Sequence, residues 1–409
     1  MIDRRDAGLH AWVHVDRDGA RRTAAALDTE AGAEQTHRPL HGVSVALKDI
    51  FDAAGMGTTS GARPFAHRRP KRDAPVVAAL RAAGAVILGK TVTTEFAFAD
   101  PSVTRNPWNL EHTPGGSSSG SAAAVAAGMA QVALGSQTIG STIRPAAYCG
   151  IVGFKGTYGR ISTEGVTPLS WSLDHVGIFA RSVDDAARVF SVLAGELSAP
   201  SPERSPQPTH PPRLAVPQAW IEAVASPEVR AYLNEVVSLL SRAGAAVEDV
   251  ALPASASRID PDGRLVLRVE AAAYHSQWFS EHASEYGPRI RELVESGLGV
   301  AAIDYIGAHE ARYGFRRDLS AIFEACDAVL LPSAPTPAPP LSEGTTGDPV
   351  FCAPWSFAGF PAIALPSGLT ASGLPLSIQL VGPIAADARL LEIARWCESC
   401  LAFNAVPPP

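Results

Sequence analysis

One lysine and two serines in this chain have the residue types of a nucleophilic site that works without histidine. Lys48 closes a short apolar run, VSVAL at 43–47. Ser117 lies in the turn-forming block Gly115-Gly116-Ser117-Ser118-Ser119-Gly120. Ser141 ends a second such block, Gly135-Ser136-Gln137-Thr138-Ile139-Gly140-Ser141. A serine hydroxyl is a poor nucleophile unless a base takes its proton. Neither block contains a histidine, so a lysine is the available base. It can act as one if burial disfavours its charged form. The apolar residues leading into Lys48 are consistent with such burial.

The elements that must position these residues follow from the pattern. Small residues at 121–127 read as a buried helix stopped by Gly128, and 131–134 reads as a strand running back beside it. The start of that helix and the end of that strand fall at one edge. Ser117 and Ser141, 24 residues apart, then become neighbours. In open α/β sheets, sites gather at the carboxyl ends of strands, and Lys48 lies at such an end. The three side chains are placed to converge.

Three other patterns are weaker than they look. Gly84 to Thr91 fits the phosphate-loop expression GxxxxGK[ST], but AVIL at 85–88 is itself the best strand candidate, whereas a phosphate loop follows its strand. Gly116 to Gly120 fits GxSxG around Ser118, but no apolar strand feeds into it. His10 with His14 and His37 with His41 have HxxxH spacing but lack the glutamate of a zinc-protease helix. No metal and no cofactor is expected.

The rest of the chain supplies the frame. Expected strands at 43–47, 85–88, 131–134, 214–217, 246–251 and 376–382 are interleaved with expected helices at 74–83, 227–243 and 386–401. Residues 268–325 read as mostly helical. The alternation predicts an α/β fold. Six prolines at 200–212 mark a linker or long loop, and a second proline cluster runs over 330–340. The chain has 409 residues, 46% of them apolar and 18% charged, and a net charge of −7. Such a chain can bury a large core, and its acidic balance argues against nucleic-acid binding. Five cysteines, including the pair Cys397 and Cys400, are too few for a disulfide scaffold. No apolar run reaches the roughly 20 residues of a membrane span. A soluble cytoplasmic protein with no membrane partner is expected.

The sequence resembles the amidase signature family over most of its length, most densely over 42–185. The resemblance is carried by GVSVALKDIFDAAGMGTTSGA (42–62), GAVILGKT (84–91), NPWN (106–109) and TPGGSSSGSAAAVAAG (113–128). It continues in GSTIRPAAYCGIVGFKGTYGRIS (140–162), SLDHVGIFARSVDD (172–185) and GLPLSIQLVG (373–382). Its length and the GSxIRPA form are most similar to bacterial malonamidases, and allophanate- and carbamate-cleaving members carry a similar form.

The resemblance implies a mixed central β-sheet flanked by helices on both faces. It implies a single domain over 1–409, with its core at 40–200 and 326–409 and a helical, variable insertion at about 220–325. It assigns Lys48 as base, Ser117 as bridging serine after a cis peptide bond, and Ser141 as nucleophile. Thr138, Ile139 and Gly140 would form the oxyanion hole. Arg144 would either contact a substrate carboxylate or hold its turn through an internal ion pair. Phe96 and Phe98 are candidates for pocket or core, and Tyr274, His275 and Trp278 lie in the half where substrate choice is usually set. The family generally has glycine at the position of Ile139. Isoleucine would be strained there if the turn required a positive φ. The implied function is hydrolysis of the C–N bond of a small amide, including a carboxylate-bearing, malonamate-like one, through an acyl-enzyme. The alternatives are a carbamate, urethane or allophanate hydrolase with the same triad, the A-type component of an amidotransferase, and a catalytically inactive binding protein. The expected partner is a small-molecule amide, with a homodimer left open.

Overall fold

The computed structural model describes residues 1–34, 38–196 and 211–409. Most of the proline-rich segment at 200–212 lies outside the described residues. One sheet of eleven strands runs through the molecule. In chain order the strands are β1 (Trp12–Val15), β2 (Ser44–Lys48), β3 (Val86–Thr91), β4 (Val132–Gln137), β5 (Val152–Lys155) and β6 (His175–Ala180). They continue as β7 (Arg213–Val216), β8 (Ala246–Asp249), β9 (Ala328–Pro332), β10 (Ala362–Leu369) and β11 (Pro375–Val381). Their spatial order is β1-β3-β2-β4-β6-β5-β10-β11-β9-β7-β8. The sheet is mixed. β2 runs parallel to β3 and β4, β9–β7–β8 is a second parallel group, and the strands from β4 through β9 pair antiparallel.

The central strands are buried on both faces, since helices cover both sides of the sheet. Every residue of β4, β5 and β6 is buried, and of β2 all but Ser44. The helix Ser119–Ala126 is buried along all eight residues. Its small side chains have a steric reason. A Cβ on Gly120 would lie 2.3 Å from the Ala11 carbonyl oxygen and 2.5 Å from the Val92 nitrogen. Outer helices carry the expected start signals. Ser182 caps Val183–Leu193 by accepting from the Asp185 amide, and Ser226 caps Pro227–Arg242 by accepting from the Val229 amide.

The expected elements appear with shifted ends. β3 runs on through Gly89, Lys90 and Thr91, so the phosphate-loop lookalike is strand, not loop. β4 extends to Gln137, which carries Ser136 into the sheet. Part of the region expected as a helical insertion is sheet, because β8 pairs with β7 in parallel. The helices Ile259–His282, Pro288–Leu298 and Ala302–Ser320 follow it.

Candidate active site

Lys48 is the last residue of β2 and is completely buried. Its Nζ donates to Ser117 Oγ at 2.7 Å and to Ser136 Oγ at 2.8 Å. Neither partner is an acid. Burial therefore dominates and lowers the lysine pKa to about 7, while the charge of Asp174 pulls it back up. A substantial neutral fraction is present near neutral pH, so this amine can accept a proton.

Ser117 is held from both sides. The Gly116–Ser117 peptide bond is cis, as the resemblance implied. The Gly116 carbonyl accepts from Arg144 Nη2 at 2.7 Å, and the Ser117 carbonyl accepts from the Thr94 amide at 3.1 Å. A Cβ on Gly116 would come within 2.8 Å of Thr346 Cγ2, so the turn tolerates only glycine there without movement. The neighbouring serines have structural partners. Ser118 Oγ donates to the Ser136 carbonyl, Ser119 pairs with Ser102, and Ser121 Oγ donates to the Leu134 carbonyl. Ser118, the centre of the GxSxG lookalike, is fully buried in this structural role.

Ser141 precedes the helix Ile143–Cys149. Its exposure is 9%, against 0% for Lys48, 1% for Ser117 and 5% for Ser136, so it is the most open of the four. Among the described residues its hydroxyl makes no hydrogen bond. The Lys48–Ser117 link is formed, and the nucleophile candidate stands apart from it. Contacts of this kind often tighten only with substrate bound. Its turn is rigidly anchored. Gln137 Oε1 accepts from the Thr142 and Ile143 amides at 2.8 and 2.9 Å. Gln137 Nε2 donates to Ser356 Oγ at 2.9 Å, and Ser356 Oγ donates to the Ile139 carbonyl at 2.6 Å.

Neither Ile139 nor Gly140 takes a positive φ, so isoleucine is accommodated without the backbone strain considered above. Gly140 is required for closeness, since a Cβ there would lie 2.7 Å from Pro349 Cβ. Thr138 Oγ1 donates to Asp174 Oδ1 at 2.5 Å. Asp174 Oδ2 accepts from the Leu169 and Ser170 amides at 2.9 and 3.0 Å. Burial raises the Asp174 pKa to about 6 despite these donors.

Arg144 is buried and its partners are neutral oxygens, not an acid. Nη1 donates to the Gly347 carbonyl at 2.6 Å, and Nη2 to the Gly116 carbonyl and, at 3.1 Å, to Thr346 Oγ1. The internal ion pair, one of the two roles considered for it, is absent among the described residues, and the arginine braces the Ser117 turn. Phe96 is core. It packs against Phe65, His275 and Tyr286. Ser136, Asp174 and Ser356 were not singled out from the sequence. Ser136 stood in a block already under scrutiny, and reading β4 two residues further would have placed it beside Lys48. No group of three or more His, Cys, Asp or Glu among the described residues could hold a metal ion. No helix there is long and apolar enough to cross a membrane.

A sheet that brings a buried lysine and two serine turns together, one of them cis, is the arrangement the motifs of the amidase signature imply. The chain matches the amidase family model over residues 1–391 and belongs to that family. It is 36% identical to the A-type component of the glutamyl-tRNA(Gln) amidotransferase of Anaeromyxobacter dehalogenans, with 100% of this chain and 92% of that protein covered. A solved amidase structure superposes with a TM-score of 0.89 at 34% identity, covering 97% of this chain and 94% of that one. A peptide amidase from Stenotrophomonas maltophilia superposes with a TM-score of 0.84 at 30% identity, covering 100% and 92%. The protein is an amidohydrolase with the amidase-signature α/β fold.

Proposed function

We propose that this enzyme hydrolyses the C–N bond of small-molecule amides through an acyl-enzyme on Ser141. Neutral Lys48 takes a proton from Ser117 as Ser117 takes one from Ser141, and Ser141 Oγ attacks the carbonyl carbon. The backbone amides of the turn 138–141 face the developing oxyanion, an interaction that gains strength in a site shielded from water. The proton returns through Ser117 to the leaving amine, and water then cleaves the ester in the same way. The observation that carries this reading is the fully buried Lys48, bonded only to hydroxyls, with Ser117 at 2.7 Å. Arg144 acts here as a positioning residue. Both of its terminal nitrogens are engaged, which removes support from a malonamate-like substrate. We read the chain as one catalytic domain, a reading supported by the single sheet and by one hydrophobic cluster running from Leu40 to Cys397.

The test is active-site labelling with a fluorophosphonate, together with turnover of primary amides and aryl carbamates. Wild type should be labelled, Ser141→Ala should not, and amides should turn over. An unlabelled wild type overturns the acyl-enzyme, and turnover of carbamates alone overturns the amide reading.

A second reading, the A-type component of an amidotransferase, is favoured by the 36% identity to such a protein. The net charge of −7 weighs against a broad tRNA-binding face. Strict dependence of turnover on a co-purifying protein would establish it, and full activity of the isolated chain would remove it.

A further inference from the structure

Glu270, in the helix Ile259–His282, is fully buried. Taking a carboxylate out of water is costly unless its oxygens are engaged. Here both are. Oε2 accepts from Ser170 Oγ at 2.6 Å and from the Ser172 amide at 3.0 Å. Oε1 accepts from Ser172 Oγ at 2.6 Å and from the Tyr305 hydroxyl at 2.7 Å. His309 Nε2 stands 3.6 Å from Oε1. Three of these four hydrogen bonds come from one turn, Ser170 to Ser172.

That turn carries Asp174. The Ser170 carbonyl accepts from the Leu173 and Asp174 amides, and Asp174 Oδ2 accepts from the Leu169 and Ser170 amides. One oxygen of Asp174 is thereby tied into the turn. The other, Oδ1, accepts from Thr138 Oγ1 at 2.5 Å. A continuous line of hydrogen bonds thus runs from Glu270 through Ser170 and Ser172 to Asp174, and on to Thr138 in the turn that ends in Ser141. Burial raises the Asp174 pKa, and the charge of Glu270 adds to that effect. Two acids that repel each other are therefore held on one turn by its amides and hydroxyls. A buried polar network whose members are satisfied rigidifies what it joins.

Stability alone does not call for an acid here, since apolar residues of similar volume often replace buried charged groups at no loss. What the carboxylate supplies is a defined turn. We propose that Glu270 is a positioning residue for amide hydrolysis. By holding Ser170 and Ser172 it sets Asp174 against Thr138, and so aims the backbone amides of the turn 138–141 at the oxyanion. This rests on the acyl-enzyme reading above. Oxyanion contacts strengthen in the transition state, so the effect falls on kcat and not on substrate affinity.

Glu270 carries its own control. Ser172 Oγ and the Tyr305 hydroxyl donate to the same oxygen, one from the turn and one from the helix Ala302–Ser320, and both residues are half-buried. Ser172→Ala and Tyr305→Phe each delete one such bond, so their losses of Tm should be similar. Glu270→Gln keeps the shape but turns an amide donor toward donors. The experiment measures kcat and KM for butanamide and the rate of fluorophosphonate labelling. It is run at about pH 9, where Lys48, with its pKa lowered to about 7, is neutral in every variant. Glu270→Gln should lower kcat at least about 10-fold and Ser172→Ala about 5-fold, with KM within about 2-fold and labelling slowed in proportion. Tyr305→Phe should keep kcat within about 2-fold of wild type. Thr138→Val cuts the last link, and on that background Glu270→Gln should cost no more than about 2-fold. Equal losses of kcat in Ser172→Ala and Tyr305→Phe, a loss carried by KM, or full additivity with Thr138→Val overturns the assignment and leaves the amidase reading standing. If Glu270→Gln does not fold, the Ser172 and Tyr305 pair decides. If wild type is labelled but leaves butanamide intact, the labelling rates decide. A wild type that does neither overturns the acyl-enzyme and this assignment with it.

Discussion

Two lysines are buried on adjacent parallel strands, and they have opposite surroundings. Lys48 ends β2, and Lys90 lies one residue before the end of β3, in register with Leu47. Lys90 Nζ lies 3.0 Å from Asp49 Oδ1 and donates to the Phe51 and Gly57 carbonyls and to Thr58 Oγ1. Among the described residues Lys48 bonds only to the two serine hydroxyls. Burial lowers the pKa of both, and Asp49 opposes that effect at contact distance for Lys90. For Lys48 the opposing charge, Asp174, makes no hydrogen bond to it and acts at longer range. Equal burial thus comes with an acid at contact distance for Lys90 and with hydroxyl partners for Lys48, and the partners, not the burial, separate the two.

The strongest way to break this contrast is to delete each amine. Lys48→Ala should lower kcat by at least about 10³-fold, since both the base and its orientation of Ser117 are lost. Its thermal unfolding should stay close to wild type. Lys90→Met leaves Asp49 as an uncompensated buried charge and should cost about 3–5 kcal/mol of stability. Steady-state kinetics and thermal unfolding of the two variants check this directly. Near-normal kcat in Lys48→Ala would refute the base assignment.

A smaller effect concerns the long-range charge. In the proposed relay Lys48 acts when neutral, and burial lowers its pKa to about 7, so activity should rise through about pH 7 and level off above it. Asp174, with its own pKa raised to about 6, is mostly ionised in that range and holds the lysine pKa up. Asp174→Asn removes that charge and should move the midpoint of the profile to lower pH. The asparagine oxygen can accept from Thr138 or from the Leu169 and Ser170 amides, not from both, so thermal unfolding is measured beside the pH profile. A midpoint that stays or moves upward would show that Asp174 acts on the turn alone.

The sequence made the candidate reacting groups legible and left their supports hidden. Lys48, Ser117 and Ser141 stand out because glycine-rich turns and short strands constrain where a chain can go within about 100 residues. Arg144 was visible as a residue, but its partners Gly347 and Thr346 lie some 200 residues away, and only the folded sheet brings them together. Ser356 reaches Gln137 and the Ile139 carbonyl over a similar distance. The walls of the cavity of about 700 Å³ beside Thr138 and Ile139 were hidden for the same reason: Trp220, Leu252, Ile259 and Phe357 come from separate elements and have no common spacing. Phe96 and Tyr274, the more conspicuous aromatics, do not line it.

The mildest test of the contrast uses stability instead of catalysis. In the unfolded chain Lys48 regains its ordinary pKa of 10.5, against about 7 when folded. Between those values the unfolded state binds a proton that the folded state does not, so the lysine's contribution makes folding more favourable as pH rises. Below about pH 7 the buried amine is charged in both states, and its full desolvation cost weighs on the folded form. Lys48→Met removes the charge at every pH. The Tm difference between Lys48→Met and wild type should therefore favour the variant most near pH 6 and move steadily back toward wild type by pH 9, a change of a few degrees. A difference that stays constant across that range would mean that Lys48 keeps its proton in the folded protein, as the ion-paired Lys90 is placed to do.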